Sequence, residues 1–165
     1  MINFLKNKFR PAQTKFSFGA TSAIITNLGL IIGLRTGHYA KLSIIGGIMI
    51  IALADNIADS AGIHIYQEAE CLKTKEVWLS TFTNFFTRIL VSLSFVFLVI
   101  FFPIKAAVIF SLIWGLLLLS YLSYTIARNR KVNPYLAMFE HIVIAFSVIL
   151  LSNFLGMLVI AKFKL

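Results

Sequence analysis

Acidic residues are scarce in this chain. It has 6 Asp and Glu residues against 15 Lys and Arg, which gives a formal net charge of +9 over 165 residues. Cysteine occurs once, at Cys71, which excludes an intrachain disulfide and favours a structural residue over a metal thiolate. The sequence also lacks a nucleophile paired with a base, a phosphate-binding loop, and a cluster of Cys and His. We therefore do not expect an enzyme.

Apolar residues are abundant instead. The chain is 59% hydrophobic, contains 16 Phe and has a mean hydropathy of +0.91, more than a soluble domain of this size could bury. These values predict an integral membrane protein whose basic residues lie beside anionic lipid. No nucleic-acid motif is present, and we expect no nucleic-acid partner.

The apolar runs predict an all-α fold, a single domain of five transmembrane helices. Three runs, at 16–34, 106–127 and 142–161, are close to the roughly 20 residues that a spanning helix needs, and a fourth, at 89–104, is a little short and is extended by the Phe residues at 82–86. The second predicted helix is retained as a span despite its two acids, because a loop at membrane depth would leave backbone groups unpaired in lipid. The predicted helices cover residues 16–34, 42–65, 83–104, 106–127 and 136–161, with a basic leader at 1–15 and a short cytoplasmic connector at 66–82.

The distribution of Lys and Arg over the flanks of these runs predicts the orientation. Most of them flank the ends that lie inside if the N-terminus is cytoplasmic, which places the C-terminus outside. The first run follows a basic leader but has no small-residue cleavage site, so we expect an uncleaved anchor. The expected location is a bacterial inner membrane, or a vacuolar-type membrane if the source is eukaryotic.

Small residues mark the first two predicted helices. Gly29 and Gly33 form a GxxxG pattern, which permits close contact between helices in lipid. The second helix is slim because it is rich in Gly and Ala. We therefore expect these two helices to pack tightly on each other, with the bulkier helices three to five as scaffold and lipid-facing wall.

Two carboxylates interrupt the second apolar run. Asp55 and Asp59 are four residues apart and share one helical face. A second polar stripe runs alongside them, formed by Asn56, Ser60, His64 and Glu68. A structural interpretation is that one Asp is protonated and hydrogen-bonded while the other pairs with Arg88. The functional interpretation is a cation pathway, in which the His favours Fe, Mn or Zn over Mg.

Three segments carry a resemblance to a known family. They are "GATSAIITNLGLIIGL", "LADNIADSAGIHIYQEAE" and "NPYLAMFEHIVIAFSVILLSNFLG". In order and spacing they resemble the vacuolar iron transporter family, which includes nodulin-like proteins and short bacterial members that lack the cytoplasmic metal-binding domain. The resemblance implies a homodimer whose pathway lies between the first and second helices of both subunits and carries Fe²⁺ or Mn²⁺ out of the cytosol against protons.

The chain departs from the family pattern at three pathway positions. The acid of the first helix aligns with Ser22, a glutamate of the second helix with Ile51, and the pathway methionine with Asp59. The predicted pathway residues are Asp55, Asp59, Asn56, Ser60, His64, Ser22 and Thr26. Two interpretations apply to Glu68, Glu70, Glu76 and Glu140: a cytoplasmic metal entry, or solvated charges in a linker and, for Glu140, an interfacial acid near Arg128 and Arg130.

The expected function is therefore transport of a divalent metal that exports or sequesters Fe²⁺ or Mn²⁺ from the cytosol. We expect a homodimer in a lipid bilayer, with the metal as the transported ion and no permanently bound cofactor. The alternative is a membrane protein that keeps the family fold without transport and binds a partner or lipid.

Overall fold

The structure, a computed structural model, describes the backbone of residues 2–163 and the side chains of residues 18–163. The described residues form five α-helices and no strand. The all-α prediction is confirmed. The helices are α1 (Ile2–Leu34), α2 (Ala40–Ala69), α3 (Thr74–Phe101), α4 (Ile104–Arg130) and α5 (Pro134–Phe163).

Local sequence signals explain where the later helices begin and end. Pro103 forces Phe102 out of the helical region, to φ −113° and ψ 151°, and so ends α3 at Phe101. Asn133 caps α5, because its Oδ1 accepts hydrogen bonds from the backbone N–H groups of Tyr135 at 3.0 Å and Leu136 at 3.4 Å. Pro134 then occupies the first helical position, where its missing N–H costs nothing.

Short connections join successive helices, which therefore run antiparallel. α1 occupies the centre and contacts all four of the others. Its buried side chains, including Ile24, Leu28 and Ile31, join the main hydrophobic core with Phe95 of α3 and Leu119 of α4. By contrast, α5 buries only Ala145 among its described residues. One end of the bundle carries the α2–α3 connection, and we call it the α2–α3 end.

Four helices, α2 to α5, are long and apolar enough to cross a membrane. The apolar part of α1, Phe18–Leu34, is shorter. These lengths and compositions make the chain an integral membrane protein. The side chains of the basic leader at 1–15 lie outside the described residues.

The segment between α2 and α3 differs from the sequence prediction. Residues 66–82 were expected to form a connector, but α2 continues to Ala69 and α3 begins at Thr74. The hydrophobic runs mark only the parts of helices that are apolar, while polar turns extend both helices beyond them. The connection itself is a tight turn in which Cys71 has a φ of 55°.

The packing of the small residues also differs from the prediction. α1 packs more extensively on α3 and α5 than on α2, so the expected tight pairing of the first two helices is wrong. Gly29 and Gly33 do permit a close helix contact, but the partner is α5: a Cβ at Gly29 would meet Ser152 Oγ at 3.0 Å. A Cβ at Gly156 would overlap the carbonyl oxygen of Gly33. Sequence spacing shows that a helix has a slim face, not which neighbour uses it.

Candidate functional site

Arg88 joins the two carboxylates of α2. Its Nη2 donates a hydrogen bond to Asp55 Oδ2, and its Nη1 donates to Asp59 Oδ2. The two acids can share one guanidinium because residues four apart lie one above the other on a helix. We call Asp55, Asp59 and Arg88 the carboxylate–arginine cluster.

The three members of the cluster differ in burial. The Arg88 side chain is 3% exposed, while those of Asp55 and Asp59 are 47% and 35% exposed. Ser22 of α1 accepts a further hydrogen bond from Arg88 Nη1 at 2.7 Å. The guanidinium therefore lies between α1, α2 and α3, and the carboxylates extend from it towards the outer surface of the chain. With both acids ionised, the cluster carries one net negative charge.

A cavity of about 550 Å³ adjoins Asp59 on the side of the α2–α3 end. Besides Asp59, its polar lining comes from Tyr66, Gln67 and Ser80. Gln67 donates from Nε2 to Ser80 Oγ at 2.8 Å, whereas its buried Oε1 has no hydrogen-bond partner among the described residues. The cavity thus extends along α2 as far as Asp59.

The second polar stripe of α2 packs against α3 and does not bond to the two carboxylates. Asn56 and Ser60 are buried against α3. Asn56 Nδ2 donates to the carbonyl of Phe85 at 2.8 Å, and Asn84 Nδ2 donates to Ser60 Oγ at 3.1 Å. Both residues therefore hold α2 to α3.

His64 belongs to the same packing face. Its Nδ1 lies 3.0 Å from Thr81 Oγ1, and its Nε2 lies 3.3 Å from a carboxylate oxygen of Glu68. The ring also makes an edge contact with Trp78. The structure therefore does not bring His64 to Asp55 and Asp59.

The remaining predicted residues are dispersed. Thr26 lines a separate apolar groove of about 890 Å³ between α1, α2 and α5. Glu70 caps the end of α2, Glu76 lies in the first turn of α3, and Glu140 is exposed on α5. Within the part of the chain that the structure describes, no three His, Cys, Asp or Glu side chains group so as to hold a metal ion.

A polar face on α3 was missed by the sequence analysis, which assigned that helix to the scaffold. The face consists of Ser80, Asn84, Thr87, Arg88 and Ser92, all buried. These residues recur at three- and four-residue spacing, so the same periodicity that marked Asp55 and Asp59 would have revealed it. Because the face points to α1 and α2, α3 supplies the basic partner of the acids and the hydrogen bonds around them.

Comparisons of the chain with protein-family models, with curated proteins and with solved structures found no match.

Proposed function

We propose that the chain is a membrane transporter that exports or sequesters a divalent transition-metal ion, Fe²⁺ or Mn²⁺, from the cytosol. One observation carries the proposal: two partly exposed carboxylates share a single buried arginine beside a cavity. A carboxylate at the centre of a membrane costs about 2.5–3.5 kcal/mol or more. Arg88 offsets one of the two negative charges, which leaves the site, with both acids ionised, one net negative charge that attracts a cation.

The chemistry of the site favours a hard cation. Asp55, Asp59 and Ser22 present oxygen atoms, which suit Mn²⁺ among the transition metals. The expected preference for Fe, Mn or Zn over Mg drew on His64, and that imidazole bonds to Thr81 instead. Of the two candidate ions, Mn²⁺ therefore fits the oxygen ligands better, while Fe²⁺ is favoured by the family resemblance alone.

A homodimer would complete the site. Ala54, Ala58 and Gly62 are exposed at four-residue spacing on α2, next to the two acids. No heavy atom outside the local helix backbone lies within 4 Å of a Cβ built at Gly62. We call these three small residues the α2 stripe. Small residues at this spacing allow two helices to approach closely, and a two-fold axis along the stripe would face four carboxylates across one pathway.

The proposed orientation has five spans and places the α2–α3 end in the cytosol. Basic residues concentrate at that end, namely Lys73, Lys75, Arg128, Arg130 and Lys131, against Arg35, Lys41, Lys105 and Lys162 at the other. The cavity beside Asp59 is then the cytosolic approach to the cluster. Labelling of the exposed Cys71 by an impermeant thiol reagent from outside would contradict this orientation.

Uptake of Mn²⁺ and Fe²⁺ into proteoliposomes tests the proposal. Asp55→Asn and Asp59→Asn keep the size of the side chain and remove its charge, so each should reduce uptake by at least about tenfold while the protein stays folded. Lys105→Gln removes a charge from an exposed position on α4 at the opposite end of the bundle and should leave uptake unchanged. Parent-level uptake by both folded Asn variants would refute the assignment.

The alternative, a membrane protein that binds lipid or a partner without transport, is favoured by a different feature. The groove between α1, α2 and α5 is lined mainly by apolar side chains, including Leu30, Leu155 and Val159. A groove of this kind suits an acyl chain. Under this alternative neither Asp variant alters metal uptake, and substitutions that fill the groove, such as Gly37→Leu, reduce lipid retention on purification.

A further inference from the structure

Resting on the proposed transport function, we infer that Arg88 is a resident cation that occupies the metal site and must be displaced by the transported ion. Its guanidinium bonds to both carboxylates, the same oxygen-bearing groups that would hold the metal. Arg88 thus determines which ions can bind, because an incoming cation has to compete with a charge that is tethered to α3.

The buried position of the guanidinium supports this role. A charge-assisted hydrogen bond is roughly twice as strong as a neutral one, and Arg88, whose side chain is only 3% exposed, makes three of them, to Asp55, Asp59 and Ser22. Ser22 accepts from the same Nη1 that bonds to Asp59. The Ser22 bond can persist when the carboxylates are released, so it anchors the guanidinium near the site.

Two unpaired acceptors lie near Arg88 and can receive the displaced guanidinium. Asn84 Oδ1 and Asn27 Oδ1 are buried and have no hydrogen-bond partner among the described residues. Asn84 is one turn before Arg88 on α3, and Asn27 bonds to Ser92, one turn after it. Each turn is about 5.4 Å, within the reach of a long side chain. The α1–α3 interface therefore holds alternative hydrogen-bond partners for Arg88 on both sides.

The charge of the ion determines how well it competes with Arg88. The displaced guanidinium keeps its charge and stays in the α1–α3 interface whichever ion binds. With both acids ionised, a divalent ion neutralises the two carboxylates and is attracted to them about twice as strongly as a monovalent ion at the same distance. A divalent cation therefore displaces Arg88 more readily than K⁺ or Na⁺ does. Arg88 is a specificity-determining residue in this sense.

Mn²⁺ binding by the purified full-length protein tests the inference, with free Mn²⁺ measured by electron paramagnetic resonance. Arg88→Gln keeps hydrogen-bond donors and removes the charge, so it should bind Mn²⁺ at least about tenfold more tightly than the parent, and K⁺ should compete better. The double variant Arg88→Gln/Asp55→Asn should lose that gain. Arg128→Gln is the matched control, because Arg128 is an exposed arginine that bonds to Tyr124 and should leave Mn²⁺ affinity at the parent value.

The outcomes separate this inference from the transport proposal. Equal or weaker Mn²⁺ binding by folded Arg88→Gln, with uptake by the parent intact, overturns the inference alone. Tighter binding by Arg88→Gln with no uptake by the parent supports the inference and refutes transport. If neither protein binds Mn²⁺, both fail.

A second variant, Arg88→Lys, tests the same inference if Arg88→Gln does not fold. Arg88→Lys retains the charge, but an ammonium cannot bridge the two acids as the planar guanidinium does. Its Mn²⁺ affinity should therefore rise above that of the parent. An affinity equal to or below the parent value overturns the inference.

Discussion

Asn27 and Asn56 are both fully buried, but their side-chain amides differ in hydrogen bonding. Asn56 donates to the Phe85 carbonyl at 2.8 Å and accepts from Ser60 Oγ at 3.4 Å. Asn27 donates to Ser92 Oγ at 2.9 Å, and its Oδ1 has no partner among the described residues. The Asn56 amide both donates and accepts a hydrogen bond, whereas the Asn27 amide only donates one. The same substitution should therefore lower the free energy of unfolding by different amounts at the two positions.

We predict that Asn56→Leu lowers the free energy of unfolding by about 1–2 kcal/mol, near the upper end for interhelical hydrogen bonds in membranes. Asn27→Leu should lower it by about 0.6 kcal/mol or less, because it also removes an unpaired acceptor. Unfolding of the detergent-solubilised variants in a denaturant series measures both values. A greater loss at Asn27 would show that its carbonyl has a partner in the membrane, for example a water molecule.

The carboxylate–arginine cluster shows what sequence reasoning could predict at this scale. The spacing of Asp55 and Asp59 on one face follows from helical geometry alone. Whether Arg88 pairs with one acid or with both depends on the rotation and height of α3 relative to α2, which no local pattern specifies. The structural interpretation had Arg88 pairing with a single Asp, whereas the structure has it bonded to both.

At the scale of the helices, the backbones of α1 and α5 come into close contact. Gly33 and Gly156 meet so tightly that a Cβ at Gly156 would overlap the Gly33 carbonyl oxygen. Backbone atoms cannot rotate away as a side chain can. α5 buries only Ala145 among its described residues and is held by this contact with α1 and by a similarly extensive one with α4.

We therefore predict that Gly156→Ala destabilises the protein by about 1–3 kcal/mol, the usual cost of overpacking. Gly46→Ala is the matched control, since nothing lies within 4 Å of the added Cβ. Thermal unfolding in detergent should show a lower midpoint for Gly156→Ala and an unchanged or higher one for Gly46→Ala. Equal midpoints would mean that α5 shifts freely on α1.

The helices also show why the fold was only partly predictable. Their all-α character follows from long apolar runs. The bounds of α2 and α3 do not follow from these runs. The last turn of α2, at 66–69, and the first turns of α3, at 74–82, contain polar residues, so hydropathy alone predicts a connector there. The GxxxG of α1 predicted a close contact correctly but assigned it to α2, since helix choice depends on the complementary Gly156 far along the chain.

For the whole molecule, we place the proposed dimer axis along α2 alone. The resemblance implies a pathway between the first and second helices of both subunits, yet Gly29 of α1 is buried against Val148 and Ser152 within one chain. The α2 stripe, by contrast, is exposed. Two chains that met along the stripe would bring their carboxylates together without unpacking α5.

We predict that Ala58→Cys, in a protein with Cys71 replaced by Ser, forms an oxidative cross-link to its own copy in membranes. Gly29→Cys should not cross-link, because its position is covered by α5. Leu117→Cys, on the exposed face of α4, reports on an alternative interface. Gel electrophoresis under non-reducing conditions gives the yield of dimer. Cross-linking only through Leu117→Cys would place the dimer axis at α4, with the carboxylate–arginine clusters of the two subunits far apart.

The central place of α1 has a consequence for biogenesis. α1 is synthesised before the helices that surround it, and Asn27 bonds to Ser92, which follows it by 65 residues. During translation, α1 must therefore remain beside the insertion machinery or in lipid with its amide unpaired until α3 arrives. Its final enclosure waits for α5, the last helix of the bundle. The helices that are synthesised later thus pack around the one that is synthesised first. The buried surface of α1 is complete only after α5 has been synthesised.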